Sequence, residues 1–468
     1  MPSTDRQNAL LVNTAWQKIY RTFSQADFKS YDFDTVRRTL IDYLRLNYSE
    51  SFNDYIESSE YVALIDLISY VAQSISYRVD LNARENFIDL AERKESVLRL
   101  ARLISYQPKR NIAASGQLKI VSITTTETVF DANNNNLANT PILWNDVTNN
   151  NWQEQFNAVL NSALPRAQSV GRPTASSTVG GTTTETYRFN STNLGLPIFN
   201  FSRNINGINT TFEIVPSELK DGFVVEEAPV PGNALSFLYK NDTKGFASSN
   251  TGYFLQFKQG SLVNEQFTIT SQLPNTKYSI TDANINNDDV FLFKMDQNNV
   301  LEEYWAKVPA ITGNNVIYNS LAKNIINQYA VVTKENDAID LVFSDGTYGA
   351  MPVGNFVAYY RQSNGLSYRI QTTDMQNVNI DLQYVSRDNQ VNTMTITMSL
   401  QNAVTNAAAS QSIADIRTLA PQSYYTNNRM ISPEDYQIVP LIEKSLEFVD
   451  EFAKLIPELT ENSSPIII

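Results

Sequence analysis

The sequence predicts a multidomain α+β protein with an N-terminal helical domain, central β-rich domains and a C-terminal mixed α+β domain. Two observations support this prediction. Apolar residues recur at helical spacing in residues 1–110, and short β-branched runs separated by Asn, Asp, Gly and Pro clusters fill most of the remainder. The chain has 468 residues, so a division into about three domains is expected from its length.

Three apolar stripes predict three helices in the first domain, residues 1–110. The first stripe, Phe33–Leu44, follows Asp residues that can cap a helix. The second begins at Tyr61 and continues to Ile75, and the third runs over Val97–Ile104. Pro108 is expected to end the third helix, because proline has no backbone N–H and disfavours helical backbone before it.

The stripe of the second helix has two possible roles. It is either covered inside a self-contained helical domain or shared with a partner chain in a helical bundle, since both arrangements remove apolar area from water. The residues predicted to form the partner interface are Leu64, Leu67, Ile68, Val71 and Ile75.

Residues 111–185 are predicted to be a mixed segment. Leu118–Ile123 alternates and is rich in β-branched residues, which favours a strand, whereas Trp152–Leu164 has helical spacing. The run Arg166–Glu185 is dominated by Ser, Thr, Gly and Val, a composition that buries little apolar surface. We therefore expect this run to be a flexible linker or an exposed loop.

The rest of the chain is predicted to contain two further regions. Short β-rich runs alternate with turn clusters over residues 186–372, which indicates one or two β-rich domains. Residues 373–468 combine a strand at Thr393–Met398 with helical patterns at Ser410–Thr418 and after Ser432, so this part is expected to be mixed α+β.

Composition and charge exclude several classes of function. The sequence has no histidine and no cysteine, which removes Ser-His-Asp and Cys-His nucleophiles, Cys/His zinc sites and disulfides. The net charge of −13 argues against a nucleic-acid backbone as partner. We expect no membrane span, no signal peptide, no cofactor, no metal and no catalytic residue.

Two acidic patterns have spacings that could form a metal site or a catalytic pair. Asp131, Asn133 and Asn135 have the spacing of a calcium loop, but Asn136 stands where such loops have glycine, so an Asn-rich turn that caps its own backbone is favoured. The adjacent Asp288 and Asp289 are expected to point to opposite faces of a strand and not to form a catalytic pair.

The most unusual local pattern is the run Phe343–Gly354. Asp345 and Gly346 form a hairpin dipeptide, Gly349 and Gly354 permit a positive φ, and a proline fixes the backbone between them. A strand follows at residues 355–361. The pattern predicts a geometrically demanding turn between two strands, and a phosphate cradle is disfavoured because no lysine or helix start follows.

This run resembles the signature of the J-like baseplate proteins of contractile phage tails. The residues that carry the resemblance are Phe343, Asp345, Gly346, Gly349, Pro352, Gly354, Tyr360, Arg361 and Gly365. A second group is similar to a later motif of that family, in which an arginine precedes a helix: Pro421, Arg429, Ser432, Pro433, Glu434, Asp435 and Tyr436. With the helical first third and the run from Trp144 to Phe156, the chain resembles the wedge subunit of T-even-type phages.

The resemblance implies a non-enzymatic structural subunit of the baseplate wedge in the virion tail, assembled in the host cytoplasm. It implies that two copies pair with a larger wedge subunit through merged helices, while the β-rich parts contact other wedge proteins and direct or indirect contacts reach tube or sheath initiator proteins. Such a subunit holds its neighbours in register and relays a conformational change to the sheath. The alternative from another class is a carbohydrate-binding tail fibre or adhesin module.

Two departures from the family pattern stand out. Ser344 occupies a position where the family usually has glycine, so the turn is expected to be tighter or differently shaped. Beyond Leu441 the sequence diverges, and two interpretations are open: a frame change that shortened the C-terminal domain, or an ordinary amphipathic helix.

Overall fold

The fold is mixed α+β and rich in strands, with about 40% strand, 19% helix, a small N-terminal helical region and a C-terminal helix. At this level the predicted fold class is confirmed. The chain separates into two compact units, residues 108–411 and residues 1–107 with 412–468. The computed structural model describes residues 32–47, 60–191, 195–220, 222–309, 311, 326–347 and 349–426.

The described helices are α1 (Phe33–Asn47), α2 (Glu60–Arg84), α3 (Lys94–Leu103), α4 (Trp152–Ser162) and α5 (Ile413–Thr426). The strands are β1 (Ser115–Thr125), β2 (Ile142–Leu143), β3 (Ala175–Val179), β4 (Thr182–Arg188), β5 (Phe199–Ile205), β6 (Ile208–Val215), β7 (Ser217–Lys220), β8 (Phe223–Glu226), β9 (Ser236–Asn241), β10 (Gly252–Gln259), β11 (Ser261–Ile269), β12 (Lys277–Ile280), β13 (Ile285–Met295), β14 (Leu301–Val308), β15 (Gln328–Thr333), β16 (Ile339–Phe343), β17 (Gly354–Gln362), β18 (Val378–Val385) and β19 (Val391–Leu400).

The helical unit contains α1, α2, α3 and α5. The three helices predicted in residues 1–110 are present, because each apolar stripe recurs at the spacing of one helix face. A small apolar core joins α3 to α5, with Val97, Leu98 and Ala101 packed against Ile416 and Ala420. Among the described residues, no helix is both long enough and apolar enough to cross a membrane.

The β-rich unit is built around a ten-stranded sheet. Its main path runs β18-β19-β1-β10-β9-β4-β3, with β2 added beside β1 and the β5–β6 hairpin beside β10. Strand β1 is central, because it pairs with β10 on one side and with β19 on the other. Its apolar face packs with Phe156 and Leu160 of α4 in one large core.

A second sheet in the same unit has seven strands in the order β11-β17-β13-β14-β15-β16-β12. Only β14 and β15 pair in parallel; the other neighbours within this sheet are antiparallel. Its core contains Trp305, Phe343 and Phe356, with Trp305 edge-on to both phenylalanine rings. A two-stranded ribbon, β7-β8, completes the unit.

The boundary between the two compact units at residues 107–108 lies close to the predicted division at residue 110, but no unit boundary falls at residue 185 or 372. Strand β19 pairs with β1 over seven residue pairs, so the segment after 372 completes a sheet that begins at Ser115. The physical reason is that strand pairing is non-local, and an alternating pattern does not specify its partner strand.

The predicted flexible linker Arg166–Glu185 is also different in the structure. Its second half forms the β3–β4 hairpin, whose two-residue turn is Gly180-Gly181 with positive φ at both glycines. The Thr and Val residues that made the run look like a linker are β-branched, and they suit the pleated edge of a sheet.

Candidate functional site

The predicted partner-interface residues of α2 lie on its exposed surface. Leu64, Leu67, Ile68, Val71 and Ile75 are 46–58% exposed. They cluster on one side of α2, because steps of three and four residues return to the same face of a helix. None of the described residues of the chain covers this stripe.

The adjoining face of α2 is the one that packs within the chain. Ile65 and Ser69 are buried there, and the Ser69 hydroxyl donates to the Ile65 carbonyl at 2.7 Å. Helix α1 packs against α2, and the Arg37 guanidinium pairs with the Asp66 carboxylate at 2.6 Å. One face therefore holds the helical hairpin together, while the neighbouring apolar stripe remains in contact with solvent.

The first motif lies in the β-rich unit, where it connects β16 to β17. These strands are not neighbours, so the Asp345-Gly346 dipeptide does not close a hairpin as the sequence had suggested. Instead the Asp345 carboxylate accepts a hydrogen bond from the backbone N–H of Thr347 at 2.9 Å. Gly346 and Gly354 have φ of 92° and 110°, and Gly365 beyond the strand has 65°.

Gly349 has a different role from the predicted one. Its φ is not positive, but a Cβ added at this position would lie 2.4 Å from Nε2 of Gln328. Glycine is required because a side chain has no room, not because of its backbone conformation. Ser344 is likewise outside the positive-φ region, so the serine at this position causes no backbone strain.

The other residues of the first motif that the structure describes are buried. Phe343 and Pro352 are inside the unit, and Tyr360 donates through its hydroxyl to the Asp282 carboxylate at 2.7 Å. Burial and this carboxylate raise the pKa of Tyr360 above its ordinary value. Arg361 is fully buried, which is exceptional for a charged side chain and requires nearby carboxylates.

Arg361 belongs to a buried charge cluster of five side chains. Its Nη1 pairs with Glu213, its Nη2 with Glu226 at 2.7 Å, and its Nε with Asp289 at 3.4 Å. Lys258 is the second cation, pairing with Glu226 at 2.7 Å and with Asp289. Three carboxylates and two cations therefore share one buried site.

This charge cluster joins all three sheets of the β-rich unit. Glu213 on β6 and Lys258 on β10 come from the ten-stranded sheet. Asp289 on β13 and Arg361 on β17 come from the seven-stranded sheet, and Glu226 ends β8 of the ribbon. The cluster links the sheets in one arrangement, because the pairs that span two sheets close only when those sheets hold one relative position.

The carboxylates of the charge cluster differ in how strongly they favour ionisation. Burial disfavours ionisation of Asp289, but Lys258 and Arg361 outweigh it and lower the pKa of Asp289 to about 2. At Glu213 burial prevails over the attraction of Arg361, so the pKa of that carboxyl is raised. Of these two carboxyl groups, Glu213 is therefore the one that tolerates a negative charge less well.

A second polar contact between distant segments is made by Arg110, which lies just before β1. The Arg110 guanidinium donates to the carbonyl oxygens of Ile285, Asn286 and Asn287 at 3.3, 3.1 and 2.8 Å. Its Nη1 donates to the Thr333 hydroxyl at 3.1 Å. These bonds satisfy carbonyl groups at the start of β13, where the pairing of β13 with β17 is irregular.

The two acidic patterns of the sequence, at Asp131 and at Asp288 with Asp289, have structural roles. Asp289 is buried and Asp288 is exposed, as expected for neighbours on a strand. The Asp131 carboxylate accepts backbone N–H bonds from Asn133 and Asn135 at 3.0 and 2.8 Å, so it caps its own turn. Within the described residues, no group of three or more acidic side chains could hold a metal ion.

Sequence reasoning missed four members of the charge cluster: Glu213, Glu226, Lys258 and Asp289. The available signal was a charged residue inside an apolar strand, as where Lys258 follows Phe257 on β10. The structure describes one residue of the second motif, Pro421, which lies inside α5. Outside the described part of the chain lie Arg429, Ser432, Pro433, Glu434, Asp435 and Tyr436, together with the residues beyond Leu441.

Comparison with known families gives one result. Residues 116–403 match the family described as "Domain of unknown function (DUF8360)". The match covers more than half of the chain, so the chain belongs to this family. It begins within β1 and ends just after β19, so it contains the charge cluster and the first motif. No curated protein matches the chain.

Asp289→Asn should lower the free energy of unfolding at pH 7 by about 3 kcal/mol, because Lys258 and Arg361 each lose a buried ion pair. Glu213→Gln should cost less, since burial already disfavours its ionised form and a Gln oxygen can still accept the Leu262 N–H. Denaturant titration of the two variants measures both values. A larger loss for Glu213→Gln than for Asp289→Asn would contradict the conclusion that Glu213 tolerates a negative charge less well.

The contribution of Asp289 should also depend on pH. Because its pKa is lowered from 3.8 to about 2, its stabilising effect is complete above about pH 5 and is lost as the pH falls toward 2. The stability difference between the wild type and Asp289→Asn should therefore shrink over this interval. A difference that stays constant from pH 6 to pH 3 would show that the charge of Asp289 is unimportant.

Gly349→Ala should destabilise the protein by about 1–3 kcal/mol through overlap with the Gln328 side chain. Truncation of the neighbour tests this cause directly. In a double-mutant cycle, Gln328→Ala should cost less in the Gly349→Ala background than in the wild type, with a coupling of about 1 kcal/mol. Additive losses in the denaturant titration would mean that the two positions do not compete for space.

Proposed function

We propose that this DUF8360-family chain is a non-enzymatic structural subunit of a contractile-tail baseplate wedge. In this role it holds neighbouring wedge proteins in register and relays a conformational change to the sheath. The observation that carries the proposal is the exposed apolar stripe of α2, which is too extensive to be a scatter of single surface residues. Support from the sequence comes from the two motifs that resemble the J-like baseplate proteins.

The stripe is suited to a permanent contact between helices. Each Leu, Ile or Val side chain that becomes fully buried contributes about 1.5–3 kcal/mol, so five such residues can hold two helices together. We propose that a second copy of the chain and a larger wedge subunit supply helices that complete a shared bundle with α2. Such a bundle would bury the stripe in the same way that a/d positions are buried in helical bundles.

The two compact units would then have different tasks. The helical unit would form the bundle, and the β-rich unit, with the C-terminal mixed region, would contact other wedge proteins and reach tube or sheath initiator proteins. The charge cluster supports this assignment of tasks, because sheets linked by buried ion pairs can transmit a displacement with little internal deformation. Polar loops on the β-rich unit could exchange contacts, as polar interface rims do.

The decisive variant replaces Leu64, Ile68 and Val71 with Asp. It should lower recovery of the wedge complex at least tenfold when the chain is co-expressed with its partners, because the new charges would have to be buried in the bundle. The β-rich unit should remain folded, since none of these residues belongs to it. Affinity purification with mass identification of the partners measures recovery, and circular dichroism measures folding.

A matched control puts the same number of acidic residues elsewhere on the same helix. Tyr70, Gln73 and Tyr77 are also exposed and lie roughly 100° or more around the helix from the centre of the stripe. Their replacement with Asp should leave recovery nearly unchanged. Normal recovery of the stripe variant would count against the shared bundle, and binding of the isolated chain to host cells or glycans would favour the adhesin alternative.

A further inference from the structure

A groove of about 420 Å³ lies on the face of the ten-stranded sheet opposite its main core. Its volume is within the range of sites for small ligands, roughly 300–1,000 Å³. Strands β1, β9 and β10 form its floor, and the segment after β19 forms one wall. The groove lies wholly in the β-rich unit, far in sequence from α2, and none of the five residues of the charge cluster lines it.

Lys240 is the only charged side chain that lines the groove. It has no ion pair or hydrogen bond with any described residue, and its ammonium stands 5.8 Å from the centroid of the Phe254 ring. Burial lowers the pKa of Lys240, since no carboxylate compensates the loss of water. In a chain with a net charge of −13, an unpaired lysine in a concave site is an unusual local excess of positive charge.

The walls of the groove also carry amide side chains. One belongs to Gln256, although its side-chain oxygen is covered from solvent and has no hydrogen-bond partner among the described residues. Gln117 lies directly across from Gln256 in the β1–β10 ladder. At the rim, the Asn402 amide donates to the Asn250 amide oxygen at 3.4 Å. The walls thus present amide groups around one cation.

We propose that this groove binds an acidic segment of a partner polypeptide. In the complex, Lys240 pairs with an Asp or Glu carboxylate. The amide groups of the lining bond to peptide N–H and C=O groups, for which Asn and Gln side chains are matched in size and polarity. The partner supplies the negative charge that the free groove lacks.

A polypeptide fits the groove better than an acidic sugar does. Sugars are usually held by an aromatic face that is free to stack, but Phe254 is 5% exposed and Lys240 already stands over its ring. In the lining, no other aromatic side chain is present. Peptide backbone, in contrast, offers alternating donors and acceptors at every residue, which match the amide-rich walls.

A random heptapeptide library selected on the immobilised full chain provides the probe. The recovered peptides should share an Asp or Glu, and fluorescently labelled copies should bind Lys240→Met at least tenfold more weakly than the wild type. Lys240→Arg keeps the charge and should bind within about threefold. Lys244→Met removes one charge from an exposed residue outside the groove and should bind like the wild type.

Each alternative result overturns the proposal. Recovered peptides without an acidic residue, or equal affinity for Lys240→Met and Lys244→Met, would show that Lys240 does not recognise a carboxylate. Stronger binding of polygalacturonate than of every selected peptide, lost in Lys240→Met, would assign the groove to an acidic polysaccharide. Thermal melting of each variant separates a loss of binding from a loss of folding, and Lys240→Arg remains informative if Lys240→Met is unstable.

Discussion

The β-rich unit depends on the five charges that meet where its three sheets join. Arg361 is surrounded by carboxylates from three sheets, and Lys258 pairs with two of the same acids. Taking five charges out of water costs several kcal/mol per ion, and the ion pairs repay this cost only with good geometry. We infer that the cluster contributes more to fixing one arrangement of the sheets than to total stability, because a shifted arrangement would leave a buried charge unpaired.

Local elements were predictable from the sequence, but their assembly was not. Helices α1 to α4 follow from apolar spacing, and β1, β10, β13 and β19 from alternating or β-branched runs. The predicted divisions at residues 185 and 372 have no counterpart among the units. Strands β1 and β19 pair although they are more than 260 residues apart, and nothing in either strand specifies the other. The prediction of a linker or exposed loop at Arg166–Glu185 did not include the β3–β4 hairpin for a related reason. Thr and Val favour strands once a neighbouring strand is available.

The candidate sites show the same limit. The stripe on α2 could be identified because its residues are close in sequence. Its exposure could not be predicted, because an exposed stripe and a covered one have the same spacing. Arg361 was singled out only through family resemblance, while its partners Glu213, Glu226 and Asp289 each resemble ordinary charged strand residues. The steric role of Gly349 depends on Gln328, about twenty residues away, so the sequence suggested a glycine requirement but gave the wrong cause.

The two units handle charge and apolar surface in opposite ways. The β-rich unit encloses charges that most proteins leave on the surface, whereas the helical unit exposes leucine and isoleucine side chains that most proteins enclose. An uncovered apolar stripe would promote indiscriminate association, but the net charge of −13 repels identical chains at distances beyond contact. Association then requires a partner that matches the stripe closely enough to overcome this repulsion. An exposed apolar helix in one unit and a set of sheets linked by buried ion pairs in the other therefore support the proposed role, in which the subunit joins specific neighbours before it transmits force between them.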